Sequence, residues 1–191
     1  MQREERVIAL NLPQAELSAE TLAYFEKCQE KLGLVPNVLL AYAFDETKLR
    51  RFTDLYNDLM LGESELSKLE REMIAVVVSA QNRCHYCVVA HGAAVRALSG
   101  DPVLGDTLSV NWRALALTDR HRAMLEFAEM LTVEPHGVSE DTRESLRAVG
   151  FSEHAIWDIS SVAAFFNMTN RVASATQIRP NHEYYAMARK S

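Results

Sequence analysis

Apolar side chains recur along this chain every three or four residues, and the few glycines and prolines fall between the periodic stretches. That is the pattern of helices joined by short connections. Residues 6–12 read as an extended lead-in before Pro13. Ser18 then caps a first helix that Gly33 ends, with Leu22, Phe25 and Leu32 as its buried stripe and Cys28 on that stripe as a core residue. Pro36 suits the first turn of a second helix through Val38, Leu39, Leu40, Tyr42 and Phe44. A third covers residues 46–61, with Leu49, Phe52, Leu55, Tyr56 and Leu59 facing inward, and Gly62 closes it.

Ser67-Lys68-Leu69-Glu70 is a capping box. It opens a segment, Glu72 to Ala80, that is apolar on nearly every side and therefore belongs at the centre of the molecule. Val76-Val77-Val78 would also suit a strand, but the capping box and the neighbouring periodicity favour helix. Asn82 is the N-cap expected for the next helix, which places Cys84 in its first turn and runs to about Ala97, before Ser99-Gly100-Asp101-Pro102. Residues 103–113 read as irregular or as one short helix. Thr118 opens a helix through Thr132, and Pro135-His136-Gly137 turns the chain. Ser139 caps a helix to Val149. Ser152 caps a last long stretch over residues 154–178 with an expected break near Asp158 to Ser160, and residues 181–189 suggest a short tail helix. No segment alternates as a sheet strand does, so the expected fold class is all-α.

The 191 residues fit one domain, with a helical N-terminal segment over 1–45, a half over 46–112 and a second half over 113–191. The two halves share an opening, Leu66-Ser67 and Leu117-Thr118, each leading into an apolar helix, and only the first carries the cysteine pair. Hydrophobic residues make up 48% and charged residues 24%, a balance that excludes a disordered chain. A net charge of −6 with scattered Lys and Arg argues against a nucleic-acid partner. No apolar run is long enough to span a membrane, and Met1-Gln2-Arg3-Glu4-Glu5-Arg6 does not read as a signal peptide. The three cysteines do not form a secreted disulfide framework, and a reducing cytoplasm is the expected compartment.

Candidate chemistry is concentrated in Cys84-His85-Tyr86-Cys87-Val88-Val89-Ala90-His91. On a helix, Cys84, Cys87 and His91 share one face. A thiol pair with a proton carrier beside it is the equipment of thiol–disulfide chemistry. The start of a helix favours a thiolate at Cys84, and His91 is one turn beyond Cys87. Glu72, on the preceding helix, can reach back toward the cysteines across a hairpin, where desolvation of its carboxylate suits a general base.

Each residue also has a plainer reading. The C-x-x-C could be half a structural zinc site with His91 and Glu72 as further ligands, although a second cysteine pair is absent. The thiols could be incidental buried groups, and Glu72 could pair with Lys68 on the surface. Tyr86 reads as packing with a hydroxyl near the site, and His85 as solvent-facing. His121, His136, His154 and His182 are too dispersed to be ligands. Asn167 and Asn170, within Phe165-Phe166-Asn167-Met168-Thr169-Asn170-Arg171, either close over the thiols or bond to neighbouring backbone, and the second reading is preferred.

Glu72, eleven residues, Cys84-x-x-Cys87, three residues and His91 together resemble the site of the alkyl hydroperoxidase D and carboxymuconolactone decarboxylase superfamily, nearest its peroxidase-related branch. The likeness extends over residues 117–131 and the Phe166-Asn167 to Asn170-Arg171 stretch. It implies an all-helical fold assembling as a trimer or hexamer, and thiol-dependent reduction of hydroperoxides without metal, haem or other cofactor. It also implies that Cys87 attacks the peroxide, that Cys84 condenses with the sulfenic acid to a disulfide, and that Glu72 and His91 relay protons. A lipoyl or thioredoxin-like donor would recycle the pair, entering at Cys84 if that sulfur is the more exposed. A decarboxylase acting on a lactone, and a non-catalytic redox-sensing or metal-binding oligomer, are the alternatives. The departure is Tyr86, which stands where alkyl hydroperoxidase D carries a histidine.

Overall fold

A computed structural model describes residues 6–189. The described residues form nine α-helices and no strands: α1 Ala19–Leu32, α2 Asn37–Tyr42, α3 Glu46–Leu61, α4 Lys68–Gln81, α5 His85–Ser99, α6 Pro102–Asn111, α7 Asp119–Val133, α8 Glu140–Ala148 and α9 Glu153–Thr176. The all-α fold class read from the sequence is the observed one, and Val76 to Val78 are helical.

The centre is α4. Its capping box forms in full: Glu70 N–H donates to Ser67 Oγ at 3.1 Å and Ser67 N–H to Glu70 Oε2 at 2.8 Å. From Met73 to Val78 every side chain is buried, because α5, α6, α7 and α9 pack around the helix. A helix so enclosed supplies fixed side chains to its neighbours and nothing to solvent. A line of aromatic rings leads across the core from Tyr42 to Phe52 (4.5 Å between centroids), to Phe165 (5.8 Å) and to Phe166 (5.4 Å). It ends edge-on against His91 at 4.5 Å.

Three local readings change. In α1, Leu22 and Leu32 are 49% and 46% exposed; the covered side is Thr21, Tyr24, Phe25 and Cys28, which pack toward Leu39, Ala43 and Leu49. That helix is oriented by Ser18 and Thr21, whose hydroxyls both donate to Glu46 Oε1 at 2.6 Å, and not by its leucines. In α3, Leu55 is exposed. Residues 102–111 form one short helix, the second of the two forms expected for this stretch, opened by Asp101 Oδ1 accepting from Val103 N–H. Finally, α9 runs unbroken through Asp158 to Ser160, since Ser160 Oγ donates to Ile156 O within the helix and Ser64 Oγ donates to Asp158 from α9's flank.

The turn between α4 and α5 also differs. Asn82 is the C-cap of α4, and Cys84 itself is the N-cap of α5 with φ −82° and ψ 99°. The reversal is made at Arg83, whose φ of 53° lies in the left-handed region. The Asn82 side chain is used elsewhere, since its Nδ2 donates to Asn167 Oδ1 at 3.0 Å and to Asn170 Oδ1 at 2.9 Å.

Both ends of the chain close over α5. Val38 N–H donates to the Tyr86 hydroxyl at 3.1 Å, and Tyr86 donates in turn to the Tyr184 hydroxyl. The buried Arg96 guanidinium donates to Tyr184 O at 2.7 Å and Met187 O at 3.1 Å, holding the final 3₁₀ turn at His182–Tyr185.

Candidate active site

Helix periodicity and the α4–α5 hairpin bring Glu72, Cys84, Cys87 and His91 into one buried region, with exposures of 7%, 1%, 4% and 9%. The Glu72 carboxylate does not meet the cysteines directly. Its Oε2 lies 2.6 Å from His91 Nδ1, in a contact with both partners buried. A carboxylate accepts, so the ring donates through Nδ1–H and Glu72 holds the imidazole in orientation. Lys68 takes no part, so the surface-pair reading of Glu72 is set aside.

Cys84 and Cys87 are free thiols that interact with one another through a hydrogen bond. The bond separates their acidities. Cys84 is lowered to about 6, first by the Cys87 S–H. Burial opposes this, while the Cys87 backbone N–H, the Ser174 hydroxyl and the charge of His91 add to it. Cys87 is pushed well above the ordinary thiol range, first by donating to Cys84 and then by burial, against weaker hydrogen bonds from Asn170 and Ser79. The result is one thiolate held by a neighbouring thiol. Iodoacetamide alkylation of Cys84, followed site by site by mass spectrometry, is therefore expected to rise to half its maximal rate near pH 6 and to fall away below it. An unperturbed cysteine would do so near about 8.5.

The sequence pattern does not signal Ser79 or Ser174, and it gives Asn170 a lesser part than the structure does. Asn170 Nδ2 donates to Ser79 Oγ at 3.0 Å. Asn167 Nδ2 bonds to Ala163 O within its own helix and also to Thr132 Oγ1, both at 3.0 Å. The backbone reading thus holds in part for Asn167 and fails for Asn170, whose amide is spent on the thiol region. The signal in the sequence is the cost of an unsatisfied amide in an apolar helix, which requires a partner to exist somewhere. Asn170→Ala removes the donor to Ser79 and one of the two acceptors of Asn82, and should lower unfolding stability by about 1–3 kcal/mol in a urea titration.

Tyr86 is buried, but its hydroxyl serves Val38 and Tyr184 and anchors the two ends of the chain. His85 is exposed, as expected, with Nε2 3.0 Å from the Tyr185 hydroxyl. Cys28 packs apart from the pair, against Leu39 and Leu49. Among the described residues no group of three or more His, Cys, Asp or Glu side chains is placed to hold a metal ion. No helix of the described residues is long and apolar enough to cross a membrane.

A cavity of about 660 Å³ reaches this region from the surface, lined by Arg83, Cys84, His85, Tyr86, Ser174 and His182 among others. Cys87 is not part of its lining. Cys84 therefore contributes to the cavity wall, although at 1% exposure it is no more open to solvent than Cys87 at 4%.

The carboxymuconolactone decarboxylase family matches residues 48–130, the span from α3 to α7 that contains all four candidate residues. An uncharacterised peroxidase-related protein from Silicibacter sp. TM1040 has a similar structure, with 59% identity over 99% of each chain and a TM-score of 0.94. A second uncharacterised peroxidase-related protein, from Ralstonia eutropha JMP134 and described as an alkylhydroperoxidase AhpD core, is 38% identical over 97% of this chain and 98% of its own, with a TM-score of 0.93. The debrominase Bmp8 shares the fold at 18% identity, with a TM-score of 0.76 over 97% of both chains. No curated protein matches. The likeness to the first two structures runs through the whole chain, from the N-terminal helices to the last turn over α5, and the chain accordingly belongs to the alkylhydroperoxidase D and carboxymuconolactone decarboxylase superfamily, in its peroxidase-related branch.

Proposed function

We propose that the protein is a thiol-dependent hydroperoxide reductase that cycles Cys84 and Cys87 between dithiol and disulfide. The observation that carries this reading is the buried pair of free thiols, Cys84 and Cys87, beside a cavity and in the same region as the short Glu72–His91 contact. Acidity and the cavity alone would favour Cys84 as the attacking sulfur, and the assignment of the peroxide to Cys87 follows the family resemblance.

In the first step the Cys87 sulfur attacks the outer peroxide oxygen and the O–O bond breaks. The proton that Cys87 gives up ends on the departing alkoxide, which leaves as an alcohol. His91, one turn along α5 and oriented by Glu72, carries that proton. In the second step the Cys84 thiolate attacks the Cys87 sulfenic acid, the S–S bond forms, and hydroxide leaves, taking a proton to become water. An external dithiol then restores the pair by exchange at Cys84, releasing Cys87 first. Lipoyl and thioredoxin-like donors both supply such a dithiol. A cytoplasmic location and assembly as a trimer or hexamer fit this reading.

The test is mass-spectrometric. One equivalent of cumene hydroperoxide, added to the reduced protein, is expected to yield a Cys84–Cys87 disulfide and one equivalent of cumyl alcohol, leaving Cys28 free. Thiols that stay reduced while peroxide persists would overturn the proposal. The decarboxylase alternative has no such observation behind it.

A further inference from the structure

The polar groups around Cys87 take their direction from one backbone carbonyl. Ala163 O can only accept, so the Asn167 amide turns its Nδ2 toward it and toward Thr132 Oγ1, whose own proton goes to Ala128 O. Asn167 Oδ1 therefore faces the other way, where Arg171 and Asn82 Nδ2 both donate to it at 3.0 Å. Asn82 spends its other amide proton on Asn170 Oδ1 at 2.9 Å. That contact leaves the Nδ2 end of Asn170 toward Ser79 Oγ, at 3.0 Å, and toward the Cys87 sulfur. Ser79 Oγ accepts from Asn170, so its own proton is free to go elsewhere. In Ser99, Ser145 and Ser160 the hydroxyl donates to the carbonyl four residues back along the helix, whereas the Ser79 hydroxyl bonds to Cys87. Ser79 and Asn170 are buried, at 0% and 1% exposure, where a donor without a partner is costly.

We infer that the Ser79 hydroxyl and the Asn170 amide form a seat for negative charge on the Cys87 sulfur, and that Asn82 and Asn167 are positioning residues that fix which way its donors point. The inference deepens the dithiol–disulfide cycle proposed above and rests on it for the use of the seat. Cys87 carries charge twice in that cycle. It attacks the peroxide oxygen as a thiolate, its proton passing to the departing alkoxide. Later an external thiolate attacks Cys84 of the disulfide. A bond forms between the donor sulfur and Cys84, the Cys84–Cys87 bond breaks, and its electron pair stays on Cys87 until a proton arrives. In the resting dithiol, Cys87 is held up first by its hydrogen bond with Cys84 and then by burial, while Asn170 and Ser79 pull the other way. Once Cys84 is bonded to the donor it has no charge to set against them, and the seat acts on the leaving sulfur alone.

The test isolates Cys87 in a Cys84→Ala protein, which has neither a second thiolate nor a hydroxyl at that position and needs no peroxide. Alkylation of Cys87 by iodoacetamide is followed against pH by mass spectrometry. The midpoint reports the thiolate, and the maximal rate reports access. Adding Ser79→Ala, which removes one oxygen, should move the midpoint up by about 1–2 pH units, the loss of one hydrogen bond to a charged sulfur. Asn82→Ala, which does not touch the sulfur, should move it the same way by less. Val76→Ala, an equally buried change on the same helix, should lower the urea midpoint of unfolding and leave the alkylation midpoint where it was. An unmoved alkylation midpoint in Ser79→Ala, or an equal shift in Val76→Ala, would overturn the inference. If Ser79→Ala does not fold, Asn82→Ala decides at its half-buried cap, and an unmoved midpoint there overturns the inference. The expected shifts, together with an unmodified protein that does not consume peroxide, would support the seat and place the failure with the peroxidase reading.

Discussion

Cys87→Ser is expected to abolish turnover of cumene hydroperoxide with dithiothreitol, a loss on the order of 10⁴-fold or more in kcat/KM, as for removal of a covalent nucleophile. Cys84→Ser should lose sustained turnover as well but fail at a different step. Its Cys87 can still be oxidised once, and without a resolving thiolate the product is a sulfenic acid that dimedone traps in stoichiometric amount. The contrast is sharper than either loss alone, because both sulfurs are buried and either substitution would lower activity for plain structural reasons. The trapped sulfenic acid would not arise from mispacking. A sulfenic acid on Cys84 in the Cys87→Ser protein, with none on Cys87 in the other, would reverse the two roles. That outcome has a physical basis, since Cys84 is the more acidic thiol and faces the cavity.

The second large effect is expected at Glu72. Glu72→Gln keeps the length of the side chain and an oxygen that can accept from His91 Nδ1, but removes the negative charge 2.6 Å from the ring. Turnover should fall on the order of 10²-fold, the lower range for general acid–base assistance. Stability should change little. Glu72→Ala should fall further, since it leaves a buried ring nitrogen without a partner as well as without a charge. Glu72 acts through His91 and not on the peroxide, so the telling readout is which property changes. Turnover should fall in Glu72→Gln while the alkylation midpoint of Cys84 stays near 6, its main cause being the Cys87 thiol. Unchanged turnover in Glu72→Gln would remove the relay from the mechanism.

Much of this is legible in the residues. Glu72, Cys84, Cys87 and His91 come together because helical spacing and a tight hairpin leave them little choice, and the capping box at Ser67 and Glu70 fixes where α4 begins. Two kinds of information are not local. The hairpin itself depends on Arg83 at positive φ, which no sequence rule assigns to an arginine, so the pattern puts Cys84 inside the first turn of α5 when it is the cap. The surroundings of the sulfurs come from far away in the chain: Asn170 reaches Ser79 across 91 positions, and Ser174 reaches Cys84 from the same distant helix. Apolar periodicity misjudges Leu22 and Leu32 for a related reason. The orientation of α1 is decided by two hydroxyls on Glu46, and those bonds leave the leucines outside.

The Tyr86 hydroxyl, which receives Val38 N–H on one side and meets Tyr184 on the other, has a consequence for biosynthesis. The motif helix leaves the ribosome with its cysteines, but the residues that cover them, from Asn170 to Tyr184, are translated long after it. At roughly 5–20 residues per second, the two thiols pass several seconds without Asn170, Ser174 or the closing turn. During that interval Cys84 lacks its Ser174 donor and much of its shelter, and the pair is open to whatever oxidant or thiol the nascent chain meets. Chemical maturity of the site thus waits for α9 and the turn at Tyr184, and a chain truncated before Tyr184 would carry the whole motif without the environment that tunes it.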